Sequence, residues 1–194
     1  MLMARSLWEA EIYVSLRIAE NAPAGEHVTP APPLQVGTNM IEGPDAWTYR
    51  SPVGEITIPY VSEKTTVQTG AHFGLGRSRL IDAAEWLRVA DLYGRRSLED
   101  QMAYAGEPQA DGQDRRQRRY YIELGWELAA DAIQQAMAFL PDGADDVPDS
   151  ELWSRFGAGV KAQDPQALTR ARLEEHLEYY RGVLEDFRAY YNPS

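Results

Sequence analysis

Residues able to do chemistry are few in this chain, and the stretch from Gly70 to Ser78 holds two of them, His72 and Arg77. Glycines, an arginine and amides at a helix start can hold a phosphate or a carboxylate. His72 and Arg77 are therefore the candidate ligand-binding residues. The stretch reads as a passage from a strand into a helix. It lacks both the Walker spacing with its lysine and the third glycine of the dinucleotide fingerprint, and the strands before it read as antiparallel. A plain sheet-to-helix turn is the favoured reading.

The run Asp142, Asp145, Asp146, Asp149 and Glu151 lacks calcium-loop spacing. It is either a solvated loop or a face for a basic protein partner, with Trp153 and Phe156 following it as aromatic anchors. Arg115, Arg116, Arg118 and Arg119, followed by Tyr120 and Tyr121, combine phosphate-binding and base-stacking residue types. They stand at a predicted helix start, where positive charge opposes the helix dipole. Neutralisation by the acidic run, within the chain or across a dimer, is the expected reason for them. A nucleic-acid partner is not expected, because the formal net charge is -11 and affinity for phosphate rests on neutralising it.

His176 lies among Glu174, Glu175 and Glu178, but none of the three histidines, His27, His72 and His176, has a glutamate three residues before it. The carboxylate-and-histidine pattern of helical di-metal sites is missing, and no metal site is expected. His176 reads as a residue at the edge of the core. A nucleophile elbow, Gly-x-Ser-x-Gly, is absent. Paired carboxylates such as Glu123 and Glu127 occur on any acidic amphipathic helix. With no cysteine in the chain, thiolate catalysis, disulfides and iron–sulfur ligation fall away. No catalytic residue and no cofactor is nominated.

The elements that must position these residues read as α+β. A length of 194 residues, 44% hydrophobic and 25% charged, suits a single domain, β-rich over about 6–72 and helical over about 78–192. Leu7 to Ala19 alternates apolar and polar residues and predicts a half-buried strand. The prolines from Asn21 to Pro33 predict a loop, continuing irregularly to Pro44. Trp47–Arg50, Glu55–Val61 and Thr65–Thr69 predict an antiparallel meander, with Pro59 marking an edge or a bulge.

Helices are predicted over Arg79–Tyr93, capped by Ser78 and stopped by Gly94, and over a short stretch opened by the capping-box spacing of Ser97 and Asp100 and ending near Gly106. A polar loop, Glu107 to Asp114, comes next. Arg115–Leu140, a short helix near Ser150–Phe156, and Pro165–Tyr191 complete the helical part. Both long helices repeat apolar residues at steps of four and three: Ile122, Trp126, Ala129, Ile133, Ala136 and Leu140 in one, and Leu173, Leu177, Tyr180, Leu184, Phe187 and Tyr191 in the other. These stripes are expected to pack together. Beside the second stripe, His176, Tyr179, Val183 and Tyr190 predict a wider apolar arc.

No apolar run approaches the roughly 20 residues of a membrane span, and the start lacks a secretory signal pattern, so the expected location is cytoplasmic. Arginine use, with lysine only at Lys64 and Lys161, suggests a bacterial or phage origin. The expected function is a non-catalytic acidic protein-binding protein, such as an inhibitor, an immunity protein or an adaptor. The alternatives are a small-molecule enzyme or binder near His72 and Arg77, and a structural homo-oligomer joined through the aromatic helices.

Overall fold

The computed structural model describes residues 2–21, 39–106 and 112–191. The readings made for 22–38 and for 107–111 lie outside the described residues. The fold is α+β, and the chain forms two compact units, Met1–Asp82 and Ala83–Ser194. The first holds β1 (Leu2–Met3), α1 (Leu7–Asn21), β2 (Asn39–Glu42), β3 (Ala46–Ser51), β4 (Gly54–Pro59) and α2 (Tyr60–Thr69). The second holds α3 (Ala83–Ala105), α4 (Gln113–Met137), α5 (Gly157–Gln163) and α6 (Arg170–Tyr191).

The sheet order is β1-β4-β3-β2. It is mixed rather than purely antiparallel, because β1 runs parallel to β4. Opposed residues put Tyr49 beside Ile56 and Trp47 beside Ile58. Tyr49, Ile56 and Ile58 are buried while Arg50 and Glu55 are exposed, the alternation of a sheet covered on one face. β2 occupies part of the stretch expected to be irregular up to Pro44.

The predicted first strand is instead helix α1. Its start is set by Ser6, whose Oγ accepts the Glu9 amide at 3.0 Å, while the Glu9 carboxylate accepts the Arg5 amide at 2.6 Å. This is a capping box shifted by one residue. Apolar residues at every second position fall on a helix into two sets spaced by four, Trp8, Ile12 and Leu16 in one and Ala10, Val14 and Ile18 in the other. Ala10, Ile12, Val14 and Leu16 are all buried, so α1 is enclosed on more than one side and its period imitates a strand.

The predicted strand Thr65–Thr69 lies in α2. Pro59 ends β4 with φ -63 and ψ 136, and the chain turns into a helix at Tyr60. Threonine hydroxyls then bond back to helical carbonyls, Thr65 to Val61 at 2.8 Å, Thr66 to Ser62 at 2.9 Å and Thr69 to Thr65 at 2.8 Å. Those local bonds accommodate residues that otherwise favour strands. Gly70, at φ 68, closes the helix in the left-handed conformation.

In the second unit α3 runs straight through Gly94, which is not a stop. A Cβ there would lie 2.6 Å from Tyr180 Cε1, so glycine admits the Tyr180 ring against the helix backbone. Ser97 does not open a new helix either; it is buried inside α3 and faces Gly125 of α4, where a Cβ would collide with its Oγ. Trp126 Nε1 donates to Gln101 Oε1 at 3.1 Å, and Trp126 and Tyr180 have ring centroids 6.1 Å apart. At the next level Tyr104 of α3 meets Tyr191 of α6 at 5.0 Å, and Arg115 of α4 covers the Tyr104 ring at 4.2 Å. These contacts make α3, α4 and α6 an up-down-up layer.

Ile122, Trp126, Ala129, Ile133 and Ala136 are buried along α4, and Leu173, Tyr180, Leu184 and Phe187 along α6. Leu177 is only half-buried. The wider arc expected on α6 is also narrower than predicted, since Tyr179 and Tyr190 are exposed. Asp164 and Pro165 do not start α6; the Asp164 carboxylate accepts the Gln166 amide at 2.9 Å in a turn. Thr169 Oγ1 instead accepts the Arg172 amide at 3.3 Å where α6 begins. The short helix expected near 150–156 is a 3-10 turn, Asp149–Glu151, followed by α5.

Candidate functional site

The acidic run lies beyond the C-terminal end of α4, on a segment that the surrounding backbone holds in place. Gly143 turns the chain at φ 73, and the Ala144 amide bonds to the Pro141 carbonyl at 3.0 Å. Arg170, at the start of α6, reaches the Ala144 carbonyl with Nε at 3.0 Å and Nη2 at 2.9 Å, and its amide bonds to the Asp145 carbonyl at 2.8 Å. Val147 is buried, and its amide bonds to the Leu168 carbonyl at 3.2 Å. A loop anchored on both its backbone and its one buried aliphatic residue is positioned rather than loosely solvated.

Its carboxylates divide into two sets. Lys161 of α5 pairs with Asp146 at 2.6 Å and Asp149 at 3.1 Å, and also donates to the Val147 carbonyl. Burial alone would lower the Lys161 ammonium, but its hydrogen bonds to Asp146 and Asp149 outweigh this and hold it above its ordinary range. Asp142 and Asp145 are exposed, and Glu151 is half-buried. The outward field therefore comes mainly from Asp142 and Asp145.

Two aromatic rings follow. Trp153 is 48% exposed although its ring stands 5.8 Å from that of the buried Phe139. Phe156 is 37% exposed and lies under the Arg88 guanidinium at 5.3 Å. Ser154, between them, is buried, and its Oγ accepts the Gly157 amide at 2.8 Å at the start of α5. Each ring thus has a fixed inner contact and an uncovered outer side. Neither Lys161 nor Arg170 was singled out from the sequence, although Lys161, as one of the chain's two lysines, was a visible signal.

The arginine cluster is not neutralised by this loop within the chain. α4 has 25 residues, about 37 Å at the usual rise, and the arginines occupy its first turns while the acidic run follows its other end. Arg119 instead donates to the Tyr191 carbonyl at 3.1 Å and stands 3.8 Å from Glu123. Arg116 and Arg118 are exposed, as are Tyr120 at 60% and Tyr121 at 55%.

His72 and Arg77 lie in a turn that follows α2, not a strand. His72 is half-buried with its ring edge-on to Trp8 at 6.2 Å, and Arg77 is exposed. The His72 carbonyl accepts Ser6 Oγ at 2.9 Å, and the Leu75 and Gly76 carbonyls accept the Arg5 guanidinium. The Gly74 amide bonds to the Ala71 carbonyl, and the Leu80 and Ile81 amides bond to Ser78 Oγ at 3.1 and 3.0 Å. Ser78 caps this turn, and α3 begins only at Ala83. Such a turn offers carbonyls to a cation, Arg5, more than amides to an anion.

Burial pushes the Glu11 carboxyl up to about 7, a range used in general acid–base catalysis. Its neighbours one helical turn away, Leu7, Trp8, Val14 and Ser15, supply no second titratable group. His176 is half-buried beside Tyr180, at 6.4 Å between rings. Among the described residues no group of three or more His, Asp and Glu side chains is placed to hold a metal ion, and no helix is long and apolar enough to cross a membrane. Comparison with protein-family models, with curated proteins and with solved structures finds no match.

Proposed function

We propose that the chain is a non-catalytic protein-binding protein of a bacterium or phage, in the manner of an inhibitor, an immunity protein or an adaptor. Its docking face is the edge from Asp142 to Phe156, and its partner is a basic protein. The observation that carries this reading is Trp153, half uncovered on a fixed inner contact and preceded by exposed carboxylates. A preset aromatic ring ringed by polar groups is the common form of an interface anchor, since little side-chain entropy is lost when it binds. Asp142 and Asp145 would speed encounter and make the association rate depend on salt, while the rings supply most of the affinity. The reading at His72 and Arg77 has less support, because the turn that carries them is already engaged by Arg5 and Ser6.

Capture from a lysate of the source cells tests it. The wild-type protein, immobilised at low salt, retains one or more basic proteins, and the variant Trp153→Ala with Asp142→Asn and Asp145→Asn loses them while keeping its circular dichroism spectrum. Equal retention by both would remove this edge from the interface.

A further inference from the structure

The two edges of the sheet differ in make. β1 closes one side with two residues, and a very short edge strand offers little to another chain. β2 closes the other side with four residues, matched one to one with Arg50, Tyr49, Thr48 and Trp47 of β3, so it carries no bulge. It also contains no lysine or proline, the residues that commonly guard an edge. Among the described residues no strand pairs with its outer side. The Gly43 amide donates to the Ala46 carbonyl at 3.0 Å and closes the hairpin of β2 and β3. Backbone groups alternate in direction along an antiparallel strand, so Asn39 and Ile41 bond to β3 as Gly43 does. Met40 and Glu42 therefore turn their N–H and C=O groups to the open edge. Met40 and Ile41 are each 39% exposed, and Glu42 is exposed.

We propose that β2 is an edge for strand addition and that its occupant is β2 of a second copy, antiparallel to it about a two-fold axis normal to the sheet. Such an axis keeps each face of the sheet on its own side, so the position opposite a residue differs from it by an even number. Three registers use the outward groups. Centring on Met40 sets Glu42 against residue 38, outside β2. Centring on Glu42 sets two carboxylates against each other, a destabilising pair. Centring on Ile41 has neither fault. Met40 and Glu42 of one copy then exchange main-chain bonds with Glu42 and Met40 of the other, and the two Ile41 side chains meet at the close spacing of a non-hydrogen-bonded pair. Ile41 ends a row that crosses the outer face through Met3, Thr57 and Thr48, and in the dimer this row runs on into the other copy. Every side chain the added strand must supply is already present in β2, which selects a second copy over an unrelated peptide.

Sedimentation velocity on the full chain over a concentration series, joined to single-cysteine crosslinking, is the test. The wild type is expected to dimerise. Its dissociation constant should stay level or fall as salt is raised, because the contact is main-chain and apolar while salt screens the repulsion between two copies of formal charge -11. Met40→Pro removes an outward N–H that β3 does not use, and Ile41→Lys sets like charges opposite each other. Both are expected to be monomeric with the circular dichroism spectrum of the wild type; should Met40→Pro fail to fold, Ile41→Lys and the crosslink decide. The chain has no cysteine, so Ile41→Cys carries a single thiol, about 4.5 Å from its copy between Cα atoms and within reach of a disulfide. Oxidised glutathione should join it into a covalent dimer. Thr48→Cys, about 14 Å from its copy by strand spacing, should stay unjoined. A wild type that is monomeric at every concentration overturns the second copy as occupant, even if the edge takes a strand from another protein. A dimer that dissociates at high salt, or that survives Ile41→Lys, uses another surface and also overturns it. So does Ile41→Cys crosslinking no faster than Thr48→Cys.

Discussion

Helices α1 and α6 both repeat apolar residues along their length, yet one imitates a strand and the other announces itself. In α6 the buried residues Leu173, Tyr180, Leu184 and Phe187 follow one stripe, and Tyr179 and Tyr190 beside it are exposed. In α1 the buried residues Ala10, Ile12, Val14 and Leu16 occupy two stripes. A hydrophobic period therefore reports how many sides of an element are covered as well as which element it is. The two regions also differ in what sets their ends. α1 is fixed at its start by a buried ion pair and a cap, whereas α6 is fixed along its length by ring and leucine packing.

The largest expected effect lies in the ion pair at the start of α1. Glu9 is almost wholly buried, and Arg5 meets it through Nη2 at 2.7 Å and Nε at 3.0 Å. Arg5→Met leaves that carboxylate without its cation and is expected to cost about 3 to 5 kcal/mol, as for other broken buried pairs. Hydrogen exchange locates the loss, with the amides of Leu7–Asn21 losing protection first. Retained protection there would mean that the pair does not hold the start of α1.

A smaller effect sharpens the account of α6. Leu184→Ala is expected to cost about 2 to 5 kcal/mol in denaturant unfolding, the usual range for a packed leucine. Leu177→Ala, at a half-buried position, should cost less than about half as much, because less apolar area returns to water. Equal losses would show that the stripe is as tightly covered at Leu177 as at Leu184.

The legible parts of the fold were those with a single covered side. The seams of α4 and α6 are legible from period, and the hairpin of β3 and β4 from its β-branched and aromatic residues. Gly94 could not, because its reason is a tyrosine 86 positions later that needs the space of a missing Cβ. α1 also carries Ser6 and Glu9 at capping-box spacing, a signal that the alternation produced by two-sided burial outweighs. At the candidate site, the acidic run and Trp153 were visible in the sequence. Their division was not, since it depends on Lys161 and Arg170 arriving from α5 and α6.

Trp153 stands uncovered beside the exposed carboxylates of Asp142 and Asp145. Fluorescence quenching of the wild type and of Trp153→Phe, compared for the cation caesium and the anion iodide, measures it directly. The difference between the two proteins isolates Trp153 from the buried Trp86 and Trp126. That difference is expected to be quenched by caesium more strongly than by iodide, with the preference weakening as salt screens the carboxylates. A difference signal that neither ion quenches, or that iodide quenches as well as caesium, would contradict the account.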